Sequence, residues 1–395
     1  MRSTGIDRRT LLKAAPALGL AGLAIGGAGI AAWAKGGLGA ARASSAPATG
    51  EGAYVAARQE ADGRHVAVVF DPDSGDRAVV PLPGRGHDVA VSPRAGLLVV
   101  FARRPGRFAV AVQADRPPVV FEAPADRHFN GHGVFSPTGD LLYATENDFV
   151  GQRGVIGVYR CPGRFDREWR RIGELSSFGI GPHEVLLLAD GTTLAIANGG
   201  IQTDPGVGDG RTPVGSGVQA DLVLIDRRSG ERRGQWRLAP GLADLSIRHL
   251  AVDRDGQVWF GCQWEGAADA KPPLLGRLAR TGDLDLVETG VIPGNLGDYV
   301  GSVAADGSGA LIALSSPRAG QVAVVDAASG RILAVAPLAD GCGLARRPPG
   351  GEAGFIATSG TGRVEALSLS GEDVVQEPLR ISSGRWDNHL RPVRV

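Results

Sequence analysis

A unit recurs along this chain, and it limits the possible folds more than any other feature. Its second half reads "VVDAASGRILAVAPLA" at 324–339, "LIDRRSGERRGQWRLA" at 224–239 and "FDPDSGDRAVVPLP" at 70–83. In each copy an apolar run ends in Asp, Gly follows a few residues later, and a second run begins. An Asp that accepts backbone bonds and a Gly at positive φ together make a tight hairpin. The first half opens with a short head: "GHDVAVSP" at His87, "GHGVFSPTGD" at His132, "PHEVLLLADG" at His183 and "RHLAVDRDG" at His249. Further heads are "DYVGSVAADG" at Tyr299, "GCGLARRPPG" at Cys342 and "DNHLRPVRV" at His389. Successive heads lie 45, 51, 66, 50, 43 and 47 residues apart. Four short strands per period of this size is the spacing of β-propeller blades. The longest step contains a Gly-rich insertion at 198–220.

The two ends are complementary. The last copy holds only a first strand, whereas the segment from Ala53 to Pro83 supplies later strands without a first one. Together they complete one blade and remove the exposed sheet edges. The expected fold is therefore all-β, a seven-bladed propeller over 52–395 closed by N- and C-terminal strands. With 60 Gly and 25 Pro the chain is rich in turn formers, and no 3.6-residue apolar period runs past residue 50, so helical classes are excluded.

Residues 1–43 read as an address and linker. "DRRTLLK" pairs Arg8 with Arg9, and an Ala/Gly-rich apolar run follows to about Ala32. That pattern is a twin-arginine export signal, with Ala32-Trp33-Ala34 and Ala41-Arg42-Ala43 as cleavage candidates; an uncleaved N-terminal anchor is the alternative. The expected location is the periplasm, with no stable membrane insertion after cleavage. The 42 basic and 42 acidic residues balance, so nothing favours a nucleic-acid partner. Cys161, Cys262 and Cys342 form no CxxC or CxxCH pair, which argues against a zinc knuckle or covalent haem.

Five of the seven histidines, His87, His132, His183, His249 and His389, stand at or near strand heads; His65 and His128 do not. First strands line a propeller's channel, so these rings are expected to converge at one channel mouth, with Glu146 and Glu184 close by. Imidazole with some carboxylate suits iron or copper. The competing reading takes the Gly86-His87 and Gly131-His132 pairs as turn locks of the WD type, bonded within their own blades. As an enzyme, the chain offers Glu146, Asn198 and Asp298 for a lactonase-like Ca²⁺ site, or Glu146 and Glu265 as an acid–base pair. A histidine-held copper cluster is a third enzymatic form, and a metal-free scaffold is the default for many propellers. No nucleophile elbow, P-loop or HExxH occurs.

The stretches at 131–160, 179–201 and 247–266, with "GDYVGSV", "DGCGLA" and "RWDNHL", resemble a family of twin-arginine-exported bacterial proteins of unknown function, over essentially the whole mature chain. The resemblance implies a periplasmic role in iron acquisition beside imelysin-like and di-haem thiol oxidoreductase-like proteins, without a defined reaction. The family's insertion commonly carries Thr-His-Pro, whereas this chain has Thr203-Asp204-Pro205. One candidate ligand implied by the resemblance is thus absent.

Overall fold

The computed structural model describes residues 52–393 except 115, 164–167, 207–210, 213–219, 289–291, 349–352 and 371–372. Residues 1–43, with the expected export signal at Arg8 and Arg9, lie outside the described residues, which themselves belong to one compact unit.

Seven antiparallel sheets form the blades, and each chain segment runs from the innermost strand outward. The first six blades start at Gly86–Val91, Arg127–Phe135, Pro182–Leu187, Leu245–Val252, Ser302–Ala305 and Gly341–Arg346. Each of these inner strands packs beside that of the next blade. The seventh blade is built from both ends. Ala53–Gln59, His65–Asp71 and Gly75–Pro81 form its outer three strands. Its inner edge comes from Arg385–Trp386 and Arg391–Val393, with Arg58 opposite Trp386 and Ala53 opposite Val393.

The recurrent hairpin behaves as its residues dictate. Asp71 accepts the backbone N–H groups of Asp73 and Ser74, and Asp226 accepts those of Arg228 and Ser229. Asp326 accepts that of Ser329. The glycines that follow, Gly75, Gly230 and Gly330, take φ of 108°, 75° and 75°, a region that L side chains rarely adopt.

The core lies between blades. One face of the closing blade sets Tyr54, Phe70 and Trp386 against Ala345 and Ile356 of the sixth; the other sets Val55 and Ala67 against Val89 and Val100 of the first. Arg58 lies over the Trp386 ring, 4.9 Å from its centroid. Within the insertion, Gln202–Thr203 pairs with Arg211–Thr212 as a two-stranded ribbon. Among the described residues no helix is long and apolar enough to cross a membrane.

The closure has a direct test. Deleting residues 384–395 strips the inner edge from the seventh blade and exposes the backbone groups of Ala53–Val55 together with the Phe70 face. Soluble yield should collapse, or the melting temperature should fall by more than about 10 °C, since several kcal/mol of apolar burial and ladder bonds go at once. A truncated protein with an unchanged melting curve contradicts this closure.

Candidate metal centre

In five of the six blades that begin with a complete inner strand, that strand breaks register with its neighbour at the head. The shifts fall between Gly86 and Val89, Phe129 and Gly133, Pro182 and Val185, Ile247 and His249, and Gly341 and Leu344. Such bulges re-aim the side chains that they carry, and here His87, His132, His183 and His249 sit on or beside them. The fifth blade pairs Ser302–Ala305 without a shift and contributes no imidazole. At the sixth bulge stands Cys342, whose thiol faces the Asp340 carbonyl at 2.9 Å.

Close packing at the bulges explains the Gly131-His132 pair. Gly131 has φ of 101°, and a Cβ there would lie 2.5 Å from the His87 ring. The glycine makes room for the previous blade's imidazole.

The five rings converge. His132 lies 5.0 Å from His87, 4.7 Å from His183 and 4.6 Å from His389, centroid to centroid. His249 is 4.9 Å from both His183 and His389. All five are buried, none more than 6% exposed. The expected convergence is present, but inside the channel and not at an open mouth. Ligand-capable atoms of His87, His132 and His389 lie within 4.8 Å of one another, as do those of His132, His183 and His249.

Carboxylates from neighbouring blades hydrogen-bond two of the rings and stand beside a third. His87 Nδ1 lies 2.9 Å from Asp387, His132 Nδ1 2.9 Å from Asp88, and His249 Nδ1 3.4 Å from Glu184. Each acid belongs to the blade preceding its histidine around the ring. The turn-lock reading fails here, because these contacts run between blades and not within one. An ionised carboxylate only accepts, so where it meets Nδ1 the proton sits on Nδ1 and the Nε2 lone pair is left for another partner. Nε2 of His132 and His389, both ring nitrogens of His249 and Nδ1 of His183 are buried without a hydrogen-bond partner. Imidazoles anchored through one nitrogen and free at the other are what a metal centre requires.

The electrostatics agree with neutral His87, His183, His249 and His389 rings beside ionised acids. Burial, partly offset by Asp387, pushes His87 down to about 3. Burial, partly offset by Glu184, takes His249 to about 4. His183 also falls well below the usual imidazole value, through burial first and neighbouring imidazoles next, as does His389, through burial partly offset by Asp88 and then neighbouring imidazoles. Burial alone would raise the acids, but Arg391 and His132 hold Asp88 well below its ordinary range. Arg391 and His249 likewise bring Glu184 to about 2.

Glu146 does not join the cluster. Its carboxylate accepts from Tyr159 at 2.5 Å and from Arg171 at 2.8 Å, further out in the second blade. The lactonase-like trio is likewise engaged elsewhere. Asn198 donates to Asp221, and Asp298 pairs with Lys271. Glu265 lies 3.5 Å from Arg248. His128 is buried between the Phe129 and Thr203 carbonyls, tying down the insertion. Asp204, where the resemblance implies histidine, caps its own turn through the Gly206 N–H.

Sequence reading missed Asp88, Asp387 and Arg391. A signal for the acids exists in "GHD", "PHE" and "DNH", where a carboxylate stands within two residues of the histidine. Nothing local indicates that each acid serves the neighbouring blade's ring.

Fold and site define a seven-bladed β-propeller with a buried histidine cluster in its channel. By sequence the chain belongs to the family described as Protein of unknown function (DUF1513), matched over residues 80–393. Comparison with curated protein sequences finds no match. Among solved structures it is similar to the Kuenenia stuttgartiensis hydrazine synthase, at 14% identity and TM-score 0.52, covering 80% of this chain and 90% of that one. A streptogramin B lyase structure matches at 14% identity and TM-score 0.50, over 85% and 95%. A chain of a mitotic checkpoint complex does so at 14% and 0.50, over 74% and 80%. At this identity the likeness is one of fold alone.

The buried neutral imidazoles make the metal-free protein acid-sensitive. Unfolded histidine takes up protons near pH 6.5, while folded His87 and His249 resist until about 3 and 4. Between those limits the unfolded state binds more protons, so stability is fully present above about 6.5 and falls as pH drops. From pH 7.5 to 5, His87 and His249 should each remove roughly 2 kcal/mol, seen as a lower urea midpoint. An equal midpoint at both pH values contradicts buried, neutral rings.

Proposed function

We propose that this protein binds a transition-metal ion in the histidine cluster and serves metal acquisition, iron above all, in the periplasm. One observation carries the metal reading: five imidazoles meet in a buried channel, two held through Nδ1 by carboxylates and a third beside one, with several ring nitrogens left without a partner. An all-imidazole first shell suits copper, zinc, nickel or ferrous iron, whereas ferric iron prefers oxygen donors. Of iron's two states the ferrous ion is therefore the one this donor set favours. The outer acids would raise imidazole basicity and balance the ion's charge. The iron setting, and a partnership with imelysin-like and di-haem periplasmic proteins, is supported by the family resemblance.

Untagged protein purified from the periplasm, or loaded with Cu²⁺, Zn²⁺ or anaerobic Fe²⁺, should retain stoichiometric metal. His132→Ala and His249→Ala should lower that affinity by about 100-fold or more while the propeller still forms. Protons compete only once pH nears the depressed imidazole values, so binding should persist well below the 6.5 of a free imidazole and fail towards about 4. A wild-type protein that takes up none of the three ions, with early-melting histidine variants, overturns this reading.

Twin-arginine export is supported by the Arg8-Arg9 pair ahead of its apolar run. Changing both to Lys should leave full-length precursor in the cytoplasm, because the export receptor reads the paired guanidinium groups. Normal periplasmic amounts of that variant on an immunoblot contradict the export route.

A further inference from the structure

A third group of ligand-capable atoms lies on the far side of His132. Oxygens of Asp88 and Glu184 and a nitrogen of His132 stand within 4.8 Å of one another. The two carboxylates supply oxygen donors for a divalent ion, while His132 Nδ1, which donates to Asp88, borders the position without ligating it. The position already holds a cation. Arg391 donates from Nε to Asp88 Oδ1 at 2.8 Å, and from Nη2 to Asp88 Oδ2 at 2.6 Å and Glu184 Oε1 at 2.6 Å. It reaches there from the closing blade, bridging acids of the first and third. Both carboxylates are buried, with side chains 2% and 3% exposed, and two buried anions this close need a positive charge between them.

We propose that the Arg391 guanidinium stands in for a second metal ion and so restricts the channel to one. The argument builds on the metal centre proposed above and adds its nuclearity. The two three-histidine groups share His132, whose Nδ1 is committed to Asp88, so only Nε2 remains for a metal. One ion on the histidine side is then flanked by a fixed organic cation on the carboxylate side. Arg391 thereby sets both the charge and the stoichiometry of the site.

Zn²⁺ is the probe, counted by equilibrium dialysis on the full-length mature protein, with circular dichroism to verify folding. Wild type should bind about one ion, Arg391→Ala about two and Arg391→Lys about one, because removing the charge frees an oxygen-rich site and keeping it does not. Arg391→Gln, which keeps some hydrogen bonding but no charge, should also gain an ion, and it stands in if the alanine variant fails to fold. One ion in wild type and still one in a folded, neutral variant overturns the stand-in role. Two ions in wild type, with Arg391 in place, overturn it as well. None in wild type but one in the neutral variant overturns the histidine centre and supports the stand-in role. None in either overturns both.

Discussion

The structure depends on the pairing of its two ends. Val393, Pro392 and Arg391 lie opposite Ala53, Tyr54 and Val55, and that short antiparallel ladder turns a row of sheets into a ring. Without it the seventh blade has three strands and an open inner edge, and the apolar faces it presents to the first and sixth blades lose their backing. A ring of blades with no internal disulfide among its described cysteines rests on such interfaces, because each sheet is too small to bury its own apolar faces alone.

The same terminal segment delivers three groups to the channel. Asp387 anchors His87, His389 touches three other imidazoles, and Arg391 spans Asp88 and Glu184. Ring closure and site assembly therefore use the same terminal segment. A chain that fails to close also lacks the histidine and the arginine on which the site's charge balance depends.

The cluster shows how polar groups are tolerated in the channel. Neutral imidazoles cost far less to bury than charges do, and burial itself favours the neutral form of His87 and His249, whose values are depressed. The carboxylates stay ionised because guanidinium and imidazole N–H groups surround them. What remains unsatisfied is Nε2 of His132 and His389, both ring nitrogens of His249 and Nδ1 of His183. Unpaired buried nitrogens are expensive when left alone, and here they fall into two three-histidine groups whose ligand-capable atoms lie within 4.8 Å of one another.

The sequence by itself determined the blade count, the closure and the gathering of five histidines, because a β-propeller converts regular spacing directly into radial position. Period and hairpin chemistry are local, so the Asp-x-x-x-Gly turns and the incomplete terminal copies were sufficient evidence. Only the tertiary structure decided which acids serve the cluster. Glu146 and Glu184 look alike as acids near histidine heads, yet Glu146 is drawn outward to Arg171 and Tyr159 while Glu184 meets His249 of the next blade. Asp88, Asp387 and Arg391 find their partners across blade boundaries, at separations of 44 to 303 residues. The bulges that swing the imidazoles inward are also legible only in the register of paired strands. Distance along the chain carries no information about such contacts, since they exist only once the ring has closed.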